Sequence, residues 1–279
     1  MLEGGGNPVT VGGGGPDRLA ARDALTELRE VLLPAGLPVL PQARIAARYV
    51  PAVRDEAAGG AWLDAVPLRG GLVALLAGEA AQGGVPAAAA MGQLRAVLNE
   101  LLAAIPDLGA VLARADAFAA RTPALSAATL ALAVLDPASG TLRYAVCGHP
   151  APLIVGPGGR TRFLDGSRGG PLGAGSRLHP AVAVLEPGEL VLLYGDGLIQ
   201  RPGRLPAAAL GDLARVASDA AADRGWPADP AATAADRVCQ RIAELAERTG
   251  PADDIAVLAA HWPGRSSHCT WNCLLTGPA

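Results

Sequence analysis

The sequence predicts an α+β fold, with two antiparallel β-sheets packed as a sandwich and flanked by pairs of helices. Apolar segments of strand length occur in blocks, and longer segments with helical spacing lie in pairs between the blocks. This order fits antiparallel sheets better than an alternating βαβ array. Hydrophobic residues make up 51% of the 279 residues, whereas aromatic residues make up 3%. A large core is therefore expected, built mainly from aliphatic side chains.

Nine segments have the alternating or continuous apolar pattern of β-strands. They are residues 44–50, 61–68, 72–77, 128–135, 141–146, 152–155, 181–185, 189–194 and 255–261. Helices are predicted at residues 85–105, 108–120, 207–222 and 231–248, and an amphipathic helix at 17–32 precedes them. Short turns at residues 69–71 and 136–140 join neighbouring strands as hairpins.

One domain is expected over residues 17–262, between a flexible Gly-rich N-terminus at 1–16 and a loosely ordered tail at 263–279. The N-terminus lacks the positive and apolar regions of a signal peptide, so the cytoplasm is the expected location. The most apolar stretch contains Glu79, which argues against a membrane span. A net charge of −3 without a basic stripe argues against nucleic acid as a partner.

Several kinds of catalytic or metal site are absent from the sequence. The chain has no lysine, so a phosphate-binding P-loop is excluded, and no serine lies in a G-x-S-x-G motif. Cys147 and Cys239 stand alone in apolar segments, where buried free thiols are expected. His268, Cys269 and Cys273 supply at most three ligands, so no zinc site is predicted in the tail.

Acidic residues follow two of the predicted strands and precede a third. Glu79 and Asp196 come directly after apolar runs, and Asp253 and Asp254 stand before the last strand. A single loop aspartate is usually a turn residue. Three acidic positions at strand ends are different, because clustered carboxylates repel one another unless a cation neutralises them. Oxygen ligands of this kind suit Mg²⁺ or Mn²⁺.

Short motifs occur in a fixed order along the chain. They are Gly59-Gly60-Ala61-Trp62-Leu63-Asp64, Gly78-Glu79-Ala80-Ala81-Gln82-Gly83-Gly84, Cys147-Gly148-His149-Pro150-Ala151-Pro152, Leu193-Tyr194-Gly195-Asp196-Gly197-Leu198 and Asp253-Asp254-Ile255-Ala256. In this order they resemble G-G-D-W-Y-D, G-D-V-S-G-H-G, A-G-H-P-P-P, L-Y-T-D-G-L and D-D-I-A. These are motifs of the SpoIIE-type branch of the metal-dependent (PPM, 2C-like) serine/threonine protein phosphatases. The resemblance runs from about residue 32 to residue 262.

The resemblance implies two divalent ions, Mn²⁺ or Mg²⁺, that activate a bridging water for attack on phosphorus without a phosphoenzyme. It implies that Asp196 and Asp253 bind metal and that Glu79 stands in place of a bridging aspartate. Secondary positions implied by the same motifs are Gly78, Ala80, Asp254 and His149. For His149, a structural role in the Gly-His-Pro turn is favoured over a role as general acid.

The resemblance also reveals a defect, because Ala61 occupies an acidic position of the family and has no oxygen for a metal. Asp64 is a poor substitute, since period-two alternation places it on the opposite face of the strand. Asp55 and Glu56 remain as alternatives that could reach the site. A weakened metal site is therefore expected, with the second ion most affected.

Two functions follow from the resemblance. The first is dephosphorylation of phosphoserine or phosphothreonine proteins, such as the anti-sigma-factor antagonists of bacterial partner-switching pathways. The alternative is a catalytically dead phosphatase-like domain that binds a phosphoprotein or a regulatory partner. The apolar stripe of the helix at residues 17–32 also suggests a surface for a dimer or a regulator.

Overall fold

Two five-stranded antiparallel sheets form the centre of the fold. The computed structural model describes residues 33–34, 36–52, 60–81, 83–175, 178–201, 203–224, 232–251 and 253–264. Within these residues the strands are β1 (Arg44–Val50), β2 (Ala61–Pro67), β3 (Val73–Glu79), β4 (Thr129–Asp136), β5 (Thr141–Cys147), β6 (Leu153–Val155), β7 (Thr161–Phe163), β8 (Ala181–Val184), β9 (Leu190–Tyr194) and β10 (Ile255–His261). One sheet has the order β1-β10-β9-β6-β7, and the other has the order β2-β3-β4-β5-β8.

Each sheet is covered on its outer face by a pair of helices. These are α1 (Val85–Ala104) and α2 (Leu108–Ala119) on the β2-containing sheet, and α3 (Pro206–Ala221) and α4 (Ala234–Thr249) on the β1-containing sheet. The predicted α+β sandwich with flanking helix pairs is thus confirmed. None of the helices that the structure describes is long and apolar enough to span a membrane.

Alternation along the strands divides the core into layers. In β3, Leu75 and Ala77 face the space between the sheets, whereas Ala74 and Leu76 face α1 and α2. Both faces of the strand are therefore buried, which explains its continuous apolar sequence. Because side chains alternate with period two, Glu79 at the end of β3 faces the space between the sheets.

The boundaries of most elements differ from the predicted ones by a residue or two, and one strand was missed. The three residues of β7 are exposed at the edge of their sheet. Such a short edge strand has no buried face and hence no hydrophobic pattern to detect. The predicted strand at residues 72–77 extends to Glu79, because the backbone of Glu79 remains paired with β2 and β4.

Some predictions concern residues outside the described ranges. These are the helix at residues 17–32, the alternatives Asp55 and Glu56, and the tail with His268, Cys269 and Cys273. The two remaining cysteines, Cys147 and Cys239, are free and buried, as expected.

A strained backbone precedes β4. Ala127 has φ of 66°, in the left-handed region that residues with a Cβ rarely adopt. On its two sides, Leu125 is fully buried and Ala128 pairs with Leu172 in an isolated bridge. These flanking contacts fix the direction in which the chain enters β4 and therefore maintain the strained conformation.

Ala127→Gly should stabilise the protein, because glycine adopts a positive φ without the steric cost of a Cβ. The left-handed conformation costs an L-residue about 1–2 kcal/mol, and the greater freedom of glycine in the unfolded chain offsets part of the gain. The expected rise in melting temperature is about 1–3 °C, measured by calorimetry. The control Ala133→Gly, in the buried middle of β4, should lower it. A lower melting temperature for Ala127→Gly would contradict the strain argument.

Candidate metal centre

Ends of strands from both sheets surround a cavity of about 300 Å³. The three carboxylates singled out in the sequence, Glu79, Asp196 and Asp253, all line it. The other lining residues are Ala80, Ala81, Thr129, Gly197 and Gln200. The structure thus brings together acids from three separate parts of the sequence.

Glu79 lies in the middle of a row of residues across three strands. It is the direct cross-strand partner of Ala61 in β2 and of Thr129 in β4. Directly opposite residues in an antiparallel sheet point to the same face. On one side of Glu79 the row offers a methyl group, at Ala61, and on the other side a hydroxyl group, at Thr129.

Asp196 begins a short 3₁₀ turn, separated from the end of β9 by Gly195. The main-chain N–H groups of Ile199 and Gln200 donate to its carbonyl oxygen and close this turn. In addition, the side-chain amide of Gln200 donates to Oδ2 of Asp196 at 2.6 Å. The carboxylate is thereby held at the cavity by a neighbouring residue that the sequence did not single out.

The adjacent aspartates before β10 have different environments. Asp253 lines the cavity, whereas Asp254 is fully buried. Asp254 accepts hydrogen bonds from the hydroxyl of Tyr49 at 2.6 Å and from the N–H of Ala52 at 2.7 Å. Its N–H donates to Asp253 Oδ1 at 2.8 Å. Asp254 therefore anchors the loop to β1, and Asp253 is the one that faces the cavity.

The electrostatics of the cavity are unfavourable without a cation. Burial raises the pKa of Glu79 to about 10, and the neighbouring charges of Asp196 and Asp253 act in the same direction. Oε2 of Glu79 is buried and has no hydrogen-bond partner among the described residues. A proton or a cation is needed to offset this charge.

The donor set fits a hard divalent ion but is incomplete. Carboxylate and hydroxyl oxygens suit Mg²⁺ and Mn²⁺, and the unpartnered oxygen of Glu79 is free to bind one. Yet within the described residues no three His, Cys, Asp or Glu side chains converge on one point closely enough to hold a metal ion by themselves. Any ion in this cavity would therefore keep several water ligands.

The remaining acidic residue of the motif, Asp64, is directed away from the cavity. It accepts hydrogen bonds from Arg95 at 2.6 Å and from Asn99 at 3.2 Å, both in α1. It therefore ties β2 to α1 and does not replace the oxygen that Ala61 lacks. The indole of Trp62 lies against Gly78, where an added Cβ would clash with its ring nitrogen. Gly78 thus has a packing role next to Glu79, and Ala80 contributes to the cavity wall.

His149 is buried behind the cavity wall. Its Nδ1 lies 2.8 Å from Oγ1 of Thr129, and its Nε2 has no hydrogen-bond partner among the described residues. Burial lowers the pKa of His149 to about 4, against the opposing influence of Asp196 and of the Tyr194 backbone. The ring is therefore neutral near pH 7, which does not suit a general acid.

Sequence reasoning missed two residues of the cavity, Thr129 and Gln200. Thr129 begins a strand in which threonine is ordinary, and Gln200 lies in a polar turn, so neither has a distinctive local pattern. The signal that could have found them is their position relative to the acids. Gln200 is four residues after Asp196, and Thr129 is at the start of the strand that pairs with β3.

The two five-stranded antiparallel sheets with four outer helices have the PP2C-type phosphatase fold, since solved structures of PP2C-type phosphatases match this arrangement. A sequence model of the Stage II sporulation protein E (SpoIIE) family matches residues 69–263, more than half of the chain. The chain therefore belongs to the SpoIIE family, which confirms the resemblance of the motifs. The match begins after the segment that contains Ala61.

Solved structures agree with this assignment. One match is the structure of the RsbU and RsbW domains of Rv1364c from Mycobacterium tuberculosis. This chain is 36% identical to it with a TM-score of 0.74, and the match covers 82% of this chain and 64% of that chain. The PP2C phosphatase domain of SpoIIE from Bacillus subtilis, with a fragment of its regulatory domain, is 15% identical with a TM-score of 0.65, covering 80% and 64%. The PstP catalytic domain with two manganese ions is 19% identical with a TM-score of 0.54, covering 79% and 98%. The chain thus spans less than two thirds of the first two proteins.

The raised pKa of Glu79 predicts a pH-dependent stability in the absence of metal. The folded protein holds a proton on Glu79 up to about pH 10, whereas the unfolded chain releases it near pH 4.5. Folding therefore takes up a proton between these values, and the free energy of unfolding should fall as pH rises from 5 to 9. One proton corresponds to about 1.4 kcal/mol per pH unit as an upper limit.

Glu79→Gln should remove most of this dependence of the free energy of unfolding on pH. The variant should therefore be more stable than the wild type at pH 8 in EDTA. Urea unfolding at several pH values measures the difference. Glu244→Gln, a change on the outer helix α4, serves as the control and should keep the wild-type slope. A Glu79→Gln variant that loses stability at pH 8 in EDTA would show that Glu79 is ionised in the folded protein.

Proposed function

We propose that this protein is a Mn²⁺- or Mg²⁺-dependent phosphatase of phosphoserine and phosphothreonine proteins, with a weakened metal site. The observation that carries the proposal is the cavity lined by Glu79, Asp196 and Asp253, in which one buried Glu79 oxygen has no hydrogen-bond partner among the described residues. Membership of the SpoIIE family and the manganese-bound PstP structure support the choice of chemistry.

The residues of the chain would act mainly by binding and orientation. Asp196 and Asp253 would hold the ion from the β9 and β10 side, and Glu79 from the β3 side. Gln200 would orient Asp196 through its hydrogen bond. A divalent ion in the cavity supplies an acidified water as nucleophile and neutralises the phosphoryl oxygens. The neutral ring of His149 would take no part as an acid, so protonation of the leaving group falls to solvent.

The absence of an acid at position 61 should weaken ion binding. Ala61 faces the same side as Glu79, so an acid there would stand next to Glu79. Without it, the ion would depend on water for the missing coordination. We expect metal to be required at higher concentration than in a site with the full set of acids.

For the substrate, we propose a phosphorylated protein of a bacterial partner-switching pathway, such as an anti-sigma-factor antagonist. The 36% identical relative contains RsbU and RsbW domains in one protein, and this supports the choice of a partner-switching pathway. A flexible phosphopeptide is the appropriate first probe of this proposal.

A second candidate function is binding of a phosphoprotein without turnover. The specific observation in its favour is Ala61, together with the lack of three converging metal-binding side chains among the described residues. In this case the protein would bind the phosphoprotein, and no hydrolysis would follow.

Restoring the missing acid should distinguish these two functions. In Ala61→Asp, Mn²⁺-dependent hydrolysis of p-nitrophenyl phosphate or of a phosphoserine peptide should rise about tenfold or more, which corresponds to about 1.4 kcal/mol of transition-state stabilisation. Asp196→Asn should reduce activity about 100-fold or more, since even changes beyond the direct ligands cost about 10–100-fold. Asp219→Asn, in α3 and outside the cavity lining, is the matched control and should keep full activity.

Two outcomes would change the proposal. Ordinary turnover by the wild type at micromolar Mn²⁺ would show that another residue replaces the missing ligand. If the wild type and Ala61→Asp are both folded and inert but bind a phosphopeptide, the binding function is supported and the enzymatic one is wrong.

A further inference from the structure

The outer face of the β2-containing sheet is open to solvent at one corner. Val134 in β4 packs against the helix pair α1 and α2 and is 4% exposed. Arg143 in β5 is its direct cross-strand partner, and Val182 in β8 is the partner of Arg143. Directly opposite residues point to the same face of an antiparallel sheet. Yet Val182 is 65% exposed, and Val184, on the same face of β8, is 61% exposed. The helices therefore leave the outer face of β8 uncovered.

An apolar cavity adjoins this exposed face. It has a volume of about 120 Å³ and lies where the β2–β3 hairpin meets the connection between α1 and α2. Val134 and Arg143 both line it, so the row across the sheet joins the cavity to the valines of β8. Most of the other lining side chains are aliphatic, and they include Leu68, Leu72, Leu102, Ile105, Leu108 and Val111. Walls of this kind suit an aliphatic side chain.

Two arginines supply positive charge at the apolar cavity. Arg69 and Arg143 both line it. The guanidinium of Arg69 donates to the carbonyl oxygen of Ala103, near the end of α1, at 2.6 Å. Within the described part of the chain, neither arginine forms an ion pair with a carboxylate. Because a guanidinium group binds carboxylates with two parallel hydrogen bonds, these arginines can accept an acidic ligand.

The acidic residues nearest to this corner are engaged by other groups. Asp136 ends β4, and its carboxylate accepts the N–H of Ala138 at 2.9 Å and the hydroxyl of Ser139 at 2.7 Å. Asp107 caps α2 and accepts the N–H of Ala110 at 2.9 Å. One carboxylate thus closes a turn and the other caps a helix. The two arginines are therefore available to a carboxylate from another molecule.

A second copy of this chain does not match the charge of this surface. A two-fold contact places the same patch of both copies face to face. It would bring the arginines of one copy towards those of the other, and the acids of the patch are already engaged. Like charges across an interface are costly, whereas opposite charges favour association. An acidic partner therefore fits this surface better than a second copy.

We propose that the apolar cavity, Arg69, Arg143 and the exposed valines of β8 form a docking surface for an acidic segment of a partner protein. An aliphatic side chain of the segment fills the cavity, its carboxylates bind the two guanidinium groups, and further apolar side chains cover the valines. Leu72 at the cavity precedes β3 and Glu79 ends it, a strand length of about 20 Å. The partner is thus held away from the metal centre, and the inference does not depend on metal binding or hydrolysis.

The experiment begins with a library of short random peptides displayed on phage and selected on the full chain in EDTA. The selected peptides should combine aspartate or glutamate with leucine, isoleucine or valine. One of them, synthesised with a fluorescein label, is titrated with the full chain, and binding is followed by fluorescence anisotropy. Its affinity should fall severalfold between about 50 mM and about 500 mM NaCl, because salt screens the attraction between carboxylate and guanidinium groups.

Substitutions then test where this peptide binds. Arg143→Glu should weaken its binding about tenfold or more, because a repulsive charge replaces a charge-assisted hydrogen bond. Val182→Glu should weaken it to a similar extent. The matched controls are Arg114→Glu, at an exposed position of α2, and Val39→Glu, at an exposed valine before β1. Neither control residue lines the apolar cavity, and both variants should bind the peptide like the wild type.

Melting temperatures of all variants are measured in EDTA, since exposed substitutions should change stability little. If Arg143→Glu does not fold, Arg143→Gln removes the charge alone and should still weaken binding about threefold or more.

Several outcomes would overturn the proposal. Equal binding to the wild type, Arg143→Glu and Val182→Glu would show that the peptide binds elsewhere. Selected peptides without an excess of acidic residues, or a selection that yields no peptide, would show that the partner chemistry is wrong. A dimer of the wild type that Val182→Glu abolishes in light scattering would assign the surface to a second copy. Because every measurement is made in EDTA, none of these results bears on the metal-dependent function.

Discussion

The carboxyl group of Glu79 is buried between two sheets, close to two aspartates, and this arrangement governs the rest of the site. A buried carboxylate beside like charges is costly, and the cost can be offset by a proton or by a cation. The raised pKa of Glu79 corresponds to the first solution. The cavity lined by oxygen donors makes the second possible. Protons and divalent ions are therefore expected to compete for the same group.

Alanine at position 61, directly across from Glu79, affects this balance in two opposite ways. It supplies neither a ligand nor a negative charge, so the attraction for a divalent ion is weaker than with an acid there. It also adds no repulsion around Glu79, so the metal-free protein needs less compensation in order to fold. A site with Ala61 is thus better adapted to exist without metal than a site with a further carboxylate. This trade-off is consistent with either a weak enzyme or a binding module.

The sequence predicted the fold well because most strands lie in buried layers and therefore have a clear apolar pattern. Buried strands with two covered faces, such as β3, give continuous apolar runs that are easy to recognise, whereas the exposed edge strand β7 gives none. The acids at strand ends were also recognisable, since Glu79 and Asp196 interrupt such runs. Their convergence on one cavity depends on strand register, which the local pattern does not determine.

Finer features of the site depended on contacts that only the structure supplies. Alternation correctly placed Asp64 away from Ala61, but its bonds to Arg95 and Asn99 could not be read from the sequence. In the sequence, nothing distinguishes the two adjacent aspartates before β10. Burial and the hydrogen bond from Tyr49 distinguish Asp254, which anchors the loop, from Asp253, which lines the cavity.

The small residues around Glu79 are as important as the charged ones. A Cβ built on Gly195 would lie 3.8 Å from Oε2 of Glu79, and Ala61 stands directly across the strand pair. Glutamate is one methylene longer than aspartate, and these two neighbours leave room for its carboxylate. A larger side chain at position 195 would enter this space, and an acid at position 61 would add a second negative charge beside it. The length of Glu79 is therefore matched to the small size of Gly195 and Ala61. A larger residue at any of these three positions would reduce the space available to the other two.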